Sequence, residues 1–516
     1  MADFETPELK DYLEIPSIDV GSMAHSKPFP AAPNHQEDLG FPGELVDDWH
    51  DKAIAKLGEL LEKNRALKVY MDSCVKCGAC TDKCHYFIGT GDPKNMPVAR
   101  QDLLRSIYRR YFTFAGKYFP KLVGAKDLTK ETLDEWYSYY HQCSQCRRCA
   151  VYCPYGIDTA EISMAAREIM DHIGVGQKYC NEILGKVHKI GNNLGLPEPA
   201  LIDTLEGLEE DIEEETGVVV KLPVDVKGAD ILLITPSADF FAEPHVDGLM
   251  GYAKVFHEAG ASWTLSSYAS EAGNFGMFIG SYEQMQEVSM RIRQAAIDLG
   301  VKRIVVGECG HAWRVAYSFW NTLIGPWDFL DQSYPIPQHI CEYTNNLIED
   351  DKLVFDKTKN DHMTLTYHDS CNVARATRMG DSPGGQFEIP RAVIKAVCNN
   401  YVDMAEDTIH ESTYCCGGGG GLLTDDLMEL RVKGGSPRMQ ALNEVVKDHG
   451  VTHMAAICAI CKSQFSKIMP KYGFEMDAIV SVHQLVSNAI ILTGQITDET
   501  SDEEETNNDE PSSGEE

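Results

Sequence analysis

The sequence predicts an α+β multidomain protein, in which a helical domain with two cysteine-rich loops precedes two tandem α/β units. The chain has 516 residues, which is enough for two to four domains of ordinary size. Two cysteine runs with the same spacing lie in its first third, among helical patterns. From residue 229 onward, short apolar runs alternate with helical stretches, which is typical of parallel strands joined by helices.

Composition excludes several classes of function. The net charge of −33 argues against nucleic acid as a partner, because phosphate binding needs clustered Lys and Arg. No apolar run of about 18 residues is present, so we expect no transmembrane span. The first ten residues lack the basic region and apolar core of a signal peptide, which predicts a cytoplasmic protein. In a reducing compartment, 17 cysteines indicate metal ligands or redox chemistry rather than disulfides.

Three segments lack the pattern of a packed domain. Residues 1–46 are rich in proline and lack helical periodicity, which predicts an extended or disordered arm that orders against a partner, a plain disordered tail being the alternative. Residues 201–228 contain seven acids between Glu206 and Glu215, and we expect an acidic linker there. Residues 491–516 carry ten acids after Thr497 and are predicted to be an acidic disordered tail.

The domain at 47–200 is predicted to be helical. Apolar spacing indicates one helix over 49–71, a second over 100–112 and a third over 159–172. Basic side chains surround the second helix and form the one basic patch of an acidic chain: Arg100, Arg105, Arg109, Arg110, Lys117 and Lys121. We interpret it either as an ordinary solvated face or as a docking surface for an acidic partner or anionic lipid head groups.

Both cysteine runs of this domain follow the spacing C-x2-C-x2-C-x3-C. Three thiolates on such a loop converge on one [4Fe–4S] cubane, while the fourth reaches the neighbouring cluster. One predicted ligand set is Cys74, Cys77, Cys80 and Cys153, and the other is Cys143, Cys146, Cys149 and Cys84. Zinc is the alternative, but zinc prefers two separated cysteine pairs around one ion. His85 replaces the proline that usually follows such a run, whereas Pro154 follows the second one.

The α/β pattern occurs twice, at 229–340 and 341–490. In each copy a Gly-Val pair precedes a strand that ends at a cysteine, Cys309 in the first and Cys458 in the second. The second copy contains a third cysteine group, whose members come from separate strand ends: Cys371, Cys415, Cys416, Cys458 and Cys461. The glycines at 417–421 allow a sharp turn beside adjacent cysteines. An anion-binding loop is the alternative, although no Walker lysine is present.

The pattern of one Cys, then Cys-Cys-Gly, then Cys-x2-Cys resembles the cysteine-rich "CCG" domain of heterodisulfide reductases. A two-cluster ferredoxin-like domain ahead of two such domains resembles their D-type subunit, and most closely the DsrK-type subunits of the membrane-bound Dsr complex of dissimilatory sulfur metabolism. The resemblance implies that the five cysteines of the second copy hold one noncubane [4Fe–4S] cluster. The first copy departs from the pattern, with Ser237, Glu271, Ala272, Cys309 and Ala312 at the corresponding positions, so we expect no cluster of its own there.

The resemblance also implies a function. A protein of this family interconverts a protein disulfide or trisulfide with thiols, its substrate being a DsrC-type sulfur carrier. Its partners are a membrane cytochrome b subunit of the DsrM type and other Dsr subunits, which attach it to the cytoplasmic face of the membrane. Sulfite reduction and sulfur oxidation remain equally open. The rivals are the iron–sulfur subunit of a flavin 2-hydroxyacid (glycolate or lactate) oxidase and a non-catalytic electron conduit.

Cys309 and His311 are further candidate catalytic residues. With one intact CCG domain, the second sulfur of the substrate needs a different binding group, and these two residues lie at the matching strand end of the degenerate copy. The alternative is that Cys309 is a relict packed as a small apolar residue. Cys180, Cys341 and Cys398 lie in no motif and are predicted to be core residues.

Overall fold

The computed structural model describes residues 27–495. Its N-terminal half is helical. The helices are α1 (Pro33–Glu37), α2 (Trp49–Lys63), α3 (Arg65–Ser73), α4 (His85–Thr90), α5 (Pro97–Phe112), α6 (Phe114–Tyr118), α7 (Pro120–Val123), α8 (Lys130–His141), α9 (Arg148–Val151), α10 (Thr159–His172), α11 (Lys178–Ile190) and α12 (Glu198–Thr216). Apolar residues of α2, α5, α8 and α10 form the core of this domain.

Two α/β units follow. The first contains β1 (Ile231–Ile234), α13 (His245–Glu258), β2 (Trp263–Thr264), α14 (Asn274–Ile279), α15 (Tyr282–Leu299), β3 (Arg303–Val306), α16 (Gly310–Ser318), α17 (Trp320–Ile324), β4 (Gln338–His339) and α18 (Ile340–Glu349). The second contains β5 (Leu365–His368), α19 (Cys371–Ala376), α20 (Gly385–Val397), α21 (Met428–His449), β6 (His453–Ala456), α22 (Ala459–Ile468), β7 (Ile479–Ser481) and α23 (Val482–Ala489).

Both units have a small parallel sheet with the same strand order. The first sheet is β2-β1-β3-β4 and the second is β5-β6-β7. In the second unit, a parallel bridge between Leu365 and Tyr401 takes the place of β2. The strands are almost entirely buried, as expected for parallel strands covered by helices on both faces. The structure therefore contains the tandem repeat that the sequence suggests.

The two units interlock rather than follow one another as separate bodies. Helix α18 ends the first unit but packs against α20 of the second, and α23 ends the second unit but packs against α13 of the first. Apolar residues of both units form one continuous core. The predicted boundary between residues 340 and 341 consequently falls inside α18.

The acidic segment at 201–228 is not the solvated linker that its charge suggested. Residues 198–216 form α12, and its apolar side chains recur at helical spacing and are buried: Leu201, Leu205, Leu208 and Ile212. The carboxylates lie mainly on the opposite face, so the helix is amphipathic despite its charge. Glu209 also joins the helix to the next segment, because it accepts hydrogen bonds from Lys221 and from the amide of Leu222.

The described part of the N-terminal arm packs on the domain that follows it. Pro30 bridges to Gln177, and the buried amide of Gln36 donates to the Gly43 carbonyl. Residues 27–46 are therefore ordered against this chain itself, whereas residues 1–26 and the tail from 496 to 516 lie outside the described residues. Residues 491–495 still belong to the fold, since Leu492 is buried. The expected helix over 49–71 breaks at Asn64, whose side chain caps α3.

The basic patch is smaller than the sequence suggested. Arg100 and Arg105 point inward and are buried. Arg105 pairs with Asp102 and donates to the Cys74 carbonyl, and Arg100 donates to Cys84 Sγ over 3.5 Å. Two of the six predicted surface cations thus belong to the interior around the cysteine loops.

Candidate functional site

The two cysteine loops of the helical domain share one backbone conformation. Lys76 and Gln145 occupy equivalent positions with φ of 58° and 56°, and Gly78 and Arg147 do so with φ of 81° and 63°. Two left-handed residues in each loop turn the chain tightly enough for three thiols to face one point. Arg147 adopts this conformation without being glycine, and its side chain is held by Asp158 at 2.5 Å.

The fourth cysteine of each run lies beside the other loop. Burial raises the pKa of Cys80 to about 11, and the nearby Cys153 and Cys74 contribute to that rise. Burial likewise raises the pKa of Cys149, with contributions from Asp158, Cys143 and Cys84. The thiols thus group in the crossed arrangement that the spacing predicts, while their role as ligands stays a prediction.

The two groups differ in depth. The loop of the first group, which we call the first cysteine loop (residues 74–80), lines a surface cavity together with Cys153 and with Cys149 of the second group, and Cys77 is exposed. In the second group, Cys84 and Cys143 are buried. The first group therefore faces solvent and the second lies toward the α/β units.

The cysteines of the second α/β unit converge at the carboxyl ends of its strands. Cys371 begins α19 just after β5, and Cys458 caps α22 just after β6. Cys371 Sγ lies 4.0 Å from Cys415 Sγ, and the five thiols of this group are all buried and free. Gly417 permits the approach of the Cys415–Cys416 loop, because it has φ of 92° and a Cβ there would lie 2.8 Å from the Gly435 nitrogen.

The second cysteine group of the helical domain touches this site. The thiols of Cys146, Cys371 and Cys416 lie beside Cys415 and hold its pKa well below its usual value. Cys146 belongs to a ferredoxin-type loop and Cys415 to the CCG motif. His85 reinforces the junction, because its Nδ1 donates to the Gly434 carbonyl and its Nε2 accepts from the Ser144 hydroxyl, each over 2.7 Å.

The degenerate unit contributes to the same site. Cys309 and His311 both lie beside Cys458, and together with Cys461 they hold its pKa well below the usual thiol value. His311 Nδ1 is 3.7 Å from Cys458 Sγ. The structure therefore brings the two predicted residues to the intact CCG cysteines.

The positions where the first unit has lost its cysteines also remain in contact. Ser237 Oγ donates to Glu271 Oε1 over 2.5 Å, just as Cys371 neighbours Cys415 in the second unit. Burial raises the pKa of Glu271. A buried hydrogen bond thus replaces a pair of thiols, and the positional correspondence drawn from the sequence holds.

The side chains around the CCG thiols fit an iron–sulfur group. Buried polar atoms without a hydrogen-bond partner among the described residues occur at His311 Nε2, at Ser370 Oγ and at both ring nitrogens of His368. Such atoms normally find partners inside proteins, so their clustering beside free thiols indicates that the site holds a further group. Thiolates are the ligands that iron–sulfur clusters use.

Several site residues carried no signal in the sequence. Asn372 Nδ2 lies 3.7 Å from Cys371 Sγ and its Oδ1 accepts from Arg314 over 3.0 Å. Arg375 donates to the Cys146 carbonyl over 2.7 Å. Arg167 is buried and donates only to backbone carbonyls, among them Cys143 and Gly420. Of these, only Asn372 was within reach of sequence reasoning, because it directly follows a motif cysteine.

Comparison with known proteins places this geometry in a family. Residues 70–157 match the family described as the 4Fe-4S dicluster domain. The chain is 41% identical to the Hdr-like menaquinol oxidoreductase iron-sulfur subunit 2 of Archaeoglobus fulgidus, over 95% of this chain and 91% of the relative. It belongs to the Hdr-like iron–sulfur subunits.

Other relatives support the same assignment. The Hdr-like menaquinol oxidoreductase iron-sulfur subunit of Archaeoglobus profundus is 42% identical over 87% of this chain and 85% of its own length. The D-type subunit of the dihydromethanophenazine:CoB–CoM heterodisulfide reductase of Methanosarcina barkeri is 25% identical over 82% of this chain and 95% of its own length. The resemblance to heterodisulfide reductase D-type subunits is thereby confirmed, and this Hdr-like chain is an iron–sulfur oxidoreductase subunit with [4Fe–4S] clusters.

A transmembrane helix is absent from the described part of this Hdr-like subunit. Within residues 27–495, every helix is too short or too polar to cross a bilayer.

Proposed function

We propose that this subunit carries electrons between a membrane quinol module and a CCG site, where a protein disulfide or trisulfide is interconverted with thiols. One observation carries the proposal: Cys146 of a ferredoxin-type loop lies against the CCG site, where Arg375 of the second unit donates to its carbonyl over 2.7 Å and the neighbouring Cys415 raises the pKa of its thiol. A protein that only conducted electrons as far as the second cysteine group would not need five further buried thiols packed beside that group.

The spacing of the two cysteine runs and the resemblance to heterodisulfide reductases assign residues to three clusters. Cys74, Cys77, Cys80 and Cys153 would hold one cubane, and Cys143, Cys146, Cys149 and Cys84 the other. Cys371, Cys415, Cys416, Cys458 and Cys461 would hold a noncubane [4Fe–4S] cluster. When bound, these clusters supply one electron at a time, whereas reduction of a disulfide to two thiols takes two electrons and two protons.

The chain's own groups prepare the CCG site for charge. The amides of Gly417 and Gly418 donate to the sulfurs of Cys415 and Cys416 over 3.4 and 3.5 Å, and hydrogen bonds to sulfur favour its thiolate form. The thiols and their neighbours are buried, which keeps water away from half-reduced sulfur. This shielding suits a reaction in which two single electrons arrive in sequence.

Cys309 and His311 would bind the second sulfur of the substrate. Both lie next to Cys458 on the side of the degenerate unit, where a family member with two CCG domains would have its second cysteine set. We propose that this pair replaces the missing set.

The proposed partners follow the names of the relatives. The Archaeoglobus proteins are named menaquinol oxidoreductase subunits, which favours a membrane-bound quinol-reactive cytochrome b subunit of the DsrM type, with other Dsr-type subunits, at the cytoplasmic face. The sulfur substrate we propose is a DsrC-type carrier protein.

Replacement of Cys416 tests the function. In anaerobically purified protein, Cys416→Ala is expected to abolish thiol–disulfide turnover of the sulfur carrier while the EPR signals of both cubanes persist. Iron content should fall from about twelve to about eight atoms per chain. The matched control is Cys398→Ala, a buried cysteine outside the site, which should retain activity and iron. Full activity of Cys416→Ala would contradict the proposal.

Replacement of Cys309 tests its separate role. Cys309→Ala is expected to keep all three clusters but to lower turnover by about tenfold or more, since only binding of the second sulfur is lost. An unchanged rate with the sulfur carrier would show that Cys309 is only a packed relict.

A further inference from the structure

The strongest exposed apolar surface lies outside the cysteine sites. Residues 113–124, which we call the aromatic hairpin, contain the short helices α6 and α7. Four of its large apolar side chains are mostly exposed: Phe114 (74%), Tyr118 (67%), Phe119 (54%) and Leu122 (84%). The rings of Phe114 and Tyr118 lie 4.8 Å apart, and all four exposed side chains fall within nine positions. Such a concentration of exposed apolar side chains marks an interaction site in soluble proteins.

The exposure is a property of an ordered element. Thr113 caps α6 by accepting from the Gly116 amide over 3.1 Å, and a side chain at Gly116 would collide with the Arg109 carbonyl. Arg109 also donates to the Val123 carbonyl over 2.8 Å. The hairpin is thus fixed to the end of α5, and its apolar side chains are held outward.

Charge distinguishes this surface from the rest of the molecule. Residues 109–126 contain five cations and no acid, in a chain with a net charge of −33. Lys117 and Lys121 are exposed and alternate with the apolar residues. Among residues 27–495 neither forms an ion pair. Aromatic side chains mixed with lysines are characteristic of segments at the membrane interface, where the rings lie at head-group depth and the ammonium groups reach lipid phosphates.

We propose that the aromatic hairpin inserts into the interface of an anionic lipid bilayer. The apolar side chains would bury their exposed surface among the upper acyl chains, and the lysines would pair with acidic head groups. An acidic protein partner would account for the lysines, but it would not account for four large apolar residues that protrude without a groove. Membrane binding by the hairpin is independent of the disulfide chemistry proposed above.

Membrane binding by the hairpin would also orient the first cysteine loop, where electrons would enter the subunit under the proposed function. Gly124 of the hairpin and Lys76 of the first cysteine loop line the same groove. The first cysteine loop is also the one that faces solvent. Contact of the hairpin with the bilayer would therefore hold the exposed cysteine group near a membrane-bound electron donor.

Vesicle flotation with the full-length, cluster-containing protein tests the proposal. Binding is expected to vesicles of phosphatidylglycerol with phosphatidylcholine, and much less to phosphatidylcholine alone or at high salt. Lys117→Gln with Lys121→Gln should weaken binding by roughly tenfold or more, and Phe114→Ser with Leu122→Ser should abolish it. The matched control, Val354→Ser with Met476→Ser, removes two apolar residues that are each 60% exposed elsewhere and should bind normally.

Three outcomes would overturn the proposal. One is the absence of binding to anionic vesicles, and another is binding that both hairpin variants retain. The third is a pattern in which the unaltered protein does not bind lipid but co-purifies with a membrane subunit, and the hairpin variants lose that co-purification. This pattern would make the surface a protein interface. Turnover with a soluble reduced viologen dye should be equal in all variants, which separates this test from that of the disulfide chemistry.

Discussion

A buried arginine without a carboxylate partner among the described residues, Arg100, lies beside the second cysteine group. Arg100 donates to Cys84 Sγ, to the Tyr139 carbonyl and to Asn95 Oδ1, and it forms no ion pair with a carboxylate within the described residues. Burial alone would raise the pKa of Cys84, but the charge of Arg100 lowers it below its ordinary value. The same charge should favour an extra electron on a cluster held by Cys84.

Arg100→Met is expected to lower the reduction potential of the second cubane, because the positive charge beside Cys84 is lost while the side chain still fills its space. EPR-monitored redox titration measures the shift. Arg105→Met is the matched control, since Arg105 is equally buried but neutralised by Asp102, and it should leave that potential in place. An unaltered potential in Arg100→Met at full cluster content would show that this charge does not act on the cluster.

Among the elements, α12 shows how a strongly charged segment can still belong to the core. Its buried side chains extend the core of the α/β units, while the acids on its other face remain in solvent. Sequence composition alone suggested a linker because the charge obscured the helical spacing of Leu201, Leu205, Leu208 and Ile212.

Ile212→Ala is expected to destabilise the protein by about 2–4 kcal/mol, because a fully buried side chain is truncated and a cavity remains. Chemical denaturation followed by circular dichroism measures the change. Glu210→Ala on the exposed face of the same helix should change stability by less than about 0.5 kcal/mol. If both substitutions changed stability equally little, residues 198–216 would be a solvated linker rather than part of the core.

At the scale of the whole molecule, a buried charged cluster joins the interlocked units. Glu308 follows β3 of the first unit and meets Lys462, Ser481 and His483 of the second, with its carboxylate 3.2 Å from Lys462 Nζ and 2.7 Å from His483 Nδ1. Glu308, His483 and Cys341 have side chains of the types that bind metal ions, and their ligand atoms lie close together. The Lys462 ammonium, however, already neutralises the Glu308 carboxylate. Burial alone would raise the pKa of Glu308, and Lys462 and His483 lower it well below its usual range.

Lys462→Met is expected to destabilise the fold by about 3–5 kcal/mol at neutral pH, because Glu308 keeps a buried charge without its cation. The depressed pKa of Glu308 means that the pair stabilises the unaltered protein above the ordinary carboxyl pKa of about 4.3 and that this stabilisation is lost as pH falls below it. The difference in stability between Lys462→Met and the unaltered protein should therefore become smaller toward acid pH. Thermal unfolding at several pH values measures this difference.

The double variant Glu308→Gln with Lys462→Met is the control for this pair. Without the buried carboxylate, it should recover most of the stability, and its dependence on pH should be weaker. A double variant as unstable as Lys462→Met would assign the loss to packing near Cys461 rather than to charge.

Local patterns were sufficient for part of this molecule. The grouping of the eight ferredoxin-type cysteines follows from their spacing, because it depends on tight loops, and the helix over 159–172 was predicted at its observed bounds. The two strands predicted to end at Cys309 and Cys458 are present but end earlier, at Val306 and Ala456. Each cysteine instead occupies the N-cap position of the helix that follows. Cys180, Cys341 and Cys398 are buried as predicted.

The sequence by itself determined the two ferredoxin-type cysteine runs and the local strand and helix patterns that reveal the repeat, because each pattern depends on residues that are near in the chain. Only the tertiary structure decided that Cys146 meets Cys415, that Cys309 and His311 face Cys458, and that α18 and α23 pack against the other unit. It also decided that Arg100 is buried while the aromatic hairpin is exposed. These contacts join residues tens to hundreds of positions apart, and they depend on how the units pack. Local propensity and spacing contain no information about such packing.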